Sequence, residues 1–210
     1  MTMRILSFLT LLLAFGSGAA AETPKPELAA LAIELQRGGH VIVMRHGATH
    51  ANQADLAPLQ PEGPGAQRQL NDKGREAAKA FGAALKAIGV PVGRTYTSRF
   101  NRAFETAVLA GRADAEKSID ITEGGLVVSP IENARRAAAL KKLVETPPAA
   151  GTTVFVVTHK PNILDAFGKD WFEVREGEAS IFRPQPGGTV LVARVLIEEW
   201  PAIAAAGVRR

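Results

Sequence analysis

Two histidines stand directly after the two most β-branched apolar runs of the chain. His46 follows HVIVMR at 40–45, and His159 follows TTVFVVT at 152–158. Two arginines belong with them. Arg45 closes the first run, and Arg102 lies just beyond RTYTS at 94–98, at the start of a helical pattern. Runs of this kind read as buried strands, and in open α/β sheets ligands bind beyond the carboxyl ends of the strands. Three strand ends would thus deliver two histidines and two arginines to one place. Such a cluster suits a dianionic ligand, because guanidinium forks match phosphate oxygens with paired hydrogen bonds. His46 and His50 have the four-residue spacing of a metal pair, but the zinc version needs a helix and an intervening Glu. Gly47 breaks the helix and no Glu intervenes, so no metal site is expected. His50 and His40 read as loop and strand-edge residues.

The elements that must hold these residues follow from periodicity and punctuation. Residues 27–37 place Leu28, Leu31, Ala32 and Leu35 on one helical face, and Gly38-Gly39 ends the helix. Residues 47–70 carry Gly, Pro, Gln and Asn without a period and read as a long loop, which in a compact domain is usually functional. Asn71 can cap a helix over 72–88, with Asp72 and Glu76 near its positive end and Gly89 beyond its last turn. A further helix is expected over 101–110, irregular or extended chain over 118–128, and a helix over 131–144 between Pro130 and Pro147-Pro148. A short helix follows over 162–167. Residues 179–183 and 189–196 read as closing strands about the turn at 184–188, paired as an antiparallel hairpin. Strands alternating with helices predict an α/β three-layer sandwich around a mainly parallel sheet.

Composition narrows the classes. The 210 residues are 46% hydrophobic and 22% charged, which excludes a disordered chain. A net charge of +4 without a run of five like charges gives no reason to expect a nucleic-acid partner. The absence of cysteine excludes disulfides, cysteine-ligated zinc, iron–sulfur clusters and a cysteine nucleophile. At the N-terminus, Arg4 precedes an apolar run at 5–15 and the small residues GSGAAA at 16–21, with an A-x-A site at Ala19–Ala21. These are the parts of a secretory signal peptide. The alternative is a retained anchor, but the apolar core is shorter than the roughly 20 residues of a spanning helix. The expectation is a signal over 1–21, a single domain over 22–210, no transmembrane span after cleavage, and a periplasmic or secreted location. The oligomeric state is not legible.

Residues 44–52 (MRHGATHAN) resemble the R-H-G signature of the histidine phosphatase superfamily, whose fold is phosphoglycerate-mutase-like. Further blocks agree in order: 70–78 (LNDKGREAA), 97–107 (TSRFNRAFETA) and 157–163 (VTHKPNI). The resemblance spans about 41–195. It implies His46 as nucleophile, with one ring nitrogen fixed by a backbone carbonyl and a phosphohistidine formed on the other. It implies Arg45, Arg102 and His159 as ligands of the phosphoryl oxygens in an in-line transition state. Gly47, Thr49 and Asn52 are expected near the substrate. Lys160 is either a selector for an extra anionic group or a solvated residue. No metal or other cofactor is implied, because the arginines and second histidine supply the positive field.

The leaving oxygen needs a proton, best given by a carboxylic acid of raised pKa. Ala48 stands where some relatives carry a Glu. Glu123, after Ile121-Thr122, is the first choice; Glu178 and Glu132 are alternatives, as is the lack of any dedicated acid. The expected activity is a phosphatase acting on a phosphorylated small molecule, glycolipid or protein. Size and export signal make the chain similar to small periplasmic members that remove phosphate from lipopolysaccharide core heptose. A phosphohistidine phosphatase or other phosphoryl transferase, and a catalytically silent phosphate-binding envelope protein, are the alternatives.

Overall fold

Alternation along the strands decides the architecture. The computed structural model describes residues 27–56, 65, 67–124 and 128–207. The signal read at 1–21 lies outside them, as do parts of the loop at 47–70 and of the stretch at 118–128. In β1 (Val41–Arg45), Ile42 and Met44 point to one apolar cluster, while Val41 and Val43 point to another. In β4 (Thr153–Thr158), Phe155 and Val157 join the first cluster and Val156 the second. A strand that buries both faces needs helices on both sides. On one side lie α1 (Leu28–Gln36), α2 (Asp72–Ile88), α3 (Asn101–Leu109) and α6 (Trp200–Gly207). On the other lie α4 (Pro130–Glu145) and α5 (Lys160–Phe167). This is the predicted three-layer sandwich.

Among the described residues the sheet has six strands in the order β3-β2-β4-β1-β5-β6, where β2 is Val92–Ser98, β3 Glu116–Ser118, β5 Ala179–Gln185 and β6 Gly188–Val195. The pairs β3/β2, β2/β4 and β4/β1 are parallel, whereas β1/β5 and β5/β6 are antiparallel. The C-terminal hairpin is as expected, but its turn is tighter. Only Pro186 and Gly187 separate the strands, with Gly187 at φ 84°. Pro184 is accommodated because it lies past the end of the pairing with β1.

Three elements differ from the sequence reading. A short strand, β3, precedes a 3-10 turn at Ile119–Ile121 within the region expected to be irregular or extended. Helix α5 starts two residues early, at Lys160, because Pro161 fits the first turn, where its missing N–H costs nothing. Helix α6 was not expected. Its Trp200 is fully buried, edge-on to Phe81 with ring centroids 4.8 Å apart. Among the described residues no helix is long and apolar enough to cross a membrane.

The termini of α2 are as predicted. Asn71 accepts from the Gly74 N–H at 2.8 Å, and Gly89 closes the helix in the left-handed region at φ 82°. The first turn of α2 also bears on the loop after β1. The Asn71 N–H donates to the Ala48 carbonyl, and a Cβ on Gly74 would lie 2.1 Å from that same oxygen. Backbone cannot yield that distance. Gly74→Ala is therefore expected to destabilise the fold by about 3 kcal/mol, read as a lowered urea midpoint with unchanged m-value. An unchanged midpoint would mean that this loop does not pack on α2.

Candidate active site

β1, β2 and β4 run parallel, so their carboxyl ends open on the same edge. His46 follows β1 and is buried, 2% exposed. Its Nδ1 donates to the Gly47 carbonyl at 2.8 Å. A carbonyl only accepts, so Nδ1 carries the proton and Nε2 keeps its lone pair. Burial pushes this imidazole well below its ordinary pKa, and the charges of Arg102, Arg45 and Arg68 push the same way against the pull of the Gly47 carbonyl. The ring is neutral at neutral pH.

The backbone around His46 is pinned from several directions. Its N–H donates to the Thr158 carbonyl of β4, and its own carbonyl accepts from the Gly177 N–H. The Gly47 N–H donates to Thr106 Oγ1, and that hydroxyl donates to the Arg102 carbonyl at 2.7 Å. Thr106 thereby ties the loop that aims His46 to the helix that carries Arg102.

His159 follows β4 and is fully buried, its ring centroid 5.2 Å from that of His46. Its Nε2 lies 2.7 Å from Ser98 Oγ, at the end of β2. Ser98 Oγ accepts the Phe100 N–H, which leaves its hydrogen free to go to Nε2. In the tautomer that takes this hydrogen, the His159 proton sits on Nδ1, a buried atom with no hydrogen-bond partner among the described residues. Burial and the nearby arginines also hold His159 well below its ordinary pKa.

Arg102, on α3, is fully buried. One terminal nitrogen donates to Asp55 Oδ1 at 2.9 Å and the other to Glu123 Oε1 at 2.5 Å. Its guanidinium lies over the Phe100 ring, 4.5 Å from the centroid. Arg45 donates to the Val174 carbonyl at 2.8 Å and stands 3.5 Å from Glu176. The Nε atoms of both arginines are buried and without a partner, like His159 Nδ1. Buried donors are normally satisfied. Three unpaired donors on residues gathered at one edge of the sheet form a site that asks for an anion.

Glu123 belongs to this cluster. Besides Arg102, it has an oxygen 3.7 Å from His159 Nδ1. Burial raises its carboxyl above the ordinary value; Arg102 pulls it back, Asp55 pushes it further up and Arg68 opposes. The two alternative acids sit elsewhere. Glu178 pairs with Arg194 at 2.5 Å and accepts the Arg175 N–H. Glu132 stands in the first turn of α4 between Arg135 and Arg136, which lower its carboxyl to about 2.

The other expected substrate residues fall into different places. Thr49 is buried and donates through Oγ1 to Glu176 at 2.6 Å. Gly47 packs close to Gly74. Asn52 is exposed on the turn that follows. Lys160 begins α5 beside His159, with its ammonium 4.7 Å from the centre of the Phe172 ring.

Sequence reasoning missed Asp55, Arg68, Ser98 and Glu176. Ser98 lay inside a quoted block without being given a role. Asp55 and Arg68 lie in the aperiodic loop, where no spacing indicates which side chains turn inward. Among the described residues no three His, Cys, Asp or Glu side chains are grouped to hold a metal ion.

The model of the histidine phosphatase superfamily, branch 1, matches residues 41–124. No curated protein matches the chain. Among solved structures, the protein histidine phosphatase SixA complexed with tungstate is 20% identical, with 76% of this chain and 98% of that one covered, at a TM-score of 0.52. A Mycobacterium tuberculosis open-reading-frame product is 18% identical over 76% and 98% of the two chains, at 0.53. A phosphoserine phosphatase from Entamoeba histolytica, bound to phosphoserine, is 16% identical over 74% and 95%, at 0.50. At these identities the structural likenesses establish the fold, and the family model covers the segment that carries His46, Arg45, Arg102 and Glu123. The match over residues 41–124 and the shared fold make the chain similar to the histidine phosphatase superfamily, branch 1.

Proposed function

We propose that this phosphatase is an exported, metal-independent phosphomonoesterase that works through a phosphohistidine on His46. The observation that carries the proposal is the state of His46: buried, neutral, with Nδ1 held by the Gly47 carbonyl and Nε2 free. Nε2 attacks phosphorus in line with the leaving oxygen. The N–P bond forms as the P–O bond breaks, and Arg45, Arg102 and His159 Nδ1 hold the phosphoryl oxygens. Glu123 gives its proton to the leaving oxygen. Its carboxylate then takes a proton from water, which attacks phosphorus, breaks the N–P bond and releases inorganic phosphate.

Glu123 beside His159 favours an ester substrate over a phosphoramidate, because an alkoxide needs that proton and a departing imidazole needs it less. The substrate we favour is an exposed phosphate on a sugar, glycolipid or protein. The signal-like N-terminus supports a substrate outside the cytoplasm.

The test is an acid-sensitive covalent intermediate. Protein incubated in EDTA with a phosphorus-labelled aryl phosphate and quenched in alkali is expected to retain label that acid releases, as a phosphoramidate bond requires. Label resistant to acid would move the nucleophile to a hydroxyl. Turnover lost in EDTA would make the reaction metal-dependent. Absence of both label and turnover would leave a protein that binds phosphate only.

A further inference from the structure

Arg102 already holds an anion that belongs to the chain. Its outer nitrogen donates to Asp55 Oδ1 at 2.9 Å, and the guanidinium is fully buried while Asp55 keeps 20% of its side chain exposed. We infer that Asp55 is an internal competitor for the substrate: its carboxylate occupies a phosphoryl-binding donor of Arg102, and the incoming phosphoryl group replaces it. The inference rests on the phosphate site proposed above.

Three features point this way. First, Asp55 is redundant as a support for Arg102. Glu123 holds the other fork at 2.5 Å, and the Phe100 ring lies against the guanidinium face. Second, the hold on Asp55 is light. Among the described residues its other hydrogen bond is from the Arg68 N–H at 3.0 Å, and its neighbours Gln53, Ala54 and Leu56 are exposed. Third, Asp55 cancels part of the positive charge of the pocket. Arg45, Arg68 and Arg102 face Asp55, Glu176 and Glu123, the last of which is neutral in its acid form. Once Asp55 leaves Arg102 for solvent, the pocket becomes more cationic where the phosphoryl oxygens must sit.

Competition and simple repulsion make different predictions. If Asp55 must leave, every anion meets the same cost of opening the pair, so apparent affinity falls by one common factor. If Asp55 stays and repels through space, a dianion is penalised twice as strongly in free energy as a monoanion. The probes are phenylphosphonate, taken above its second ionisation, and benzenesulfonate, a monoanion of the same shape. Neither is hydrolysed. Binding to the full chain is measured by calorimetry in the wild type, in Asp55→Asn and in Asp55→Ser.

Both variants are expected to bind both probes about tenfold more tightly, by the same factor, as befits a partly buried ion pair. Weaker binding in the variants would make Asp55 a support for Arg102 and overturn the inference. So would unchanged binding, or a phosphonate gain near the square of the sulfonate gain. If the wild type and both variants bound neither probe, the phosphate-site reading itself would fall. Binding in the wild type without a gain in the variants would remove only the role of Asp55.

Discussion

Turnover of an aryl phosphate by a His46→Ala variant is expected to fall roughly 10⁵-fold, while phenylphosphonate still binds. The two readouts separate because His46 offers the anion no donor. Its one N–H is spent on the Gly47 carbonyl, and Nε2 presents only a lone pair. The donors proposed for the ligand belong to Arg45, Arg102 and His159, none of which the substitution removes. Steady-state kinetics and calorimetry on the same preparation check both halves. Loss of binding together with turnover would make His46 a structural element of the site. Turnover close to wild type would place the nucleophile elsewhere. Retained binding of phenylphosphonate shows that the variant is folded.

How far the site was legible depends on where each residue lies relative to a regular element. His46, Arg45 and His159 were visible because a buried strand announces itself by an unbroken β-branched run, and the topology of α/β sheets gives its carboxyl end a meaning. The bounds of α2 were legible for a local reason: Asn71 and Gly89 are both cap residues, and both act as caps. Glu123 was found through resemblance rather than periodicity. It follows a 3-10 turn, and its approach to Arg102 depends on how β3 pairs with β2, a tertiary fact.

Asp55, Arg68 and Glu176 were invisible for the same reason. Each sits on irregular chain, where side-chain direction is set by the path of the loop. Glu176 reaches Thr49 across 127 positions of sequence, a separation no local pattern reports. Helix α6 escaped because its stability is bought by the packing of Trp200 and Ile203 rather than by a polar–apolar period of its own. The structure therefore adds mainly the charges that surround the nucleophile, and those charges decide when it can act.

The second large effect concerns Glu123. In water a glutamic acid ionises at about pH 4.3 and an imidazolium at about 6.5. Between those values the acid has lost its proton and the nucleophile is blocked by one, so both are in the wrong form. This pocket moves the two in opposite directions. Burial raises Glu123, while burial and the arginines depress His46. These opposite shifts enlarge the overlap in pH between neutral imidazole and protonated carboxyl. Its lower limit is protonation of His46 and its upper limit is ionisation of Glu123. Activity on an alkyl phosphate should accordingly fall as pH rises through the Glu123 titration. Glu123→Gln cannot give a proton, so it is expected to lose 10²–10³-fold, on the order of a general-acid contribution, and to lose that alkaline limb. On an aryl phosphate, whose phenolate leaves without help, the same variant should lose less than about tenfold. The leaving-group dependence distinguishes proton donation from the other service Glu123 performs, holding Arg102. A residue that only held Arg102 would weaken binding of every substrate alike, so equal losses on alkyl and aryl esters with an unchanged pH profile would assign Glu123 to positioning.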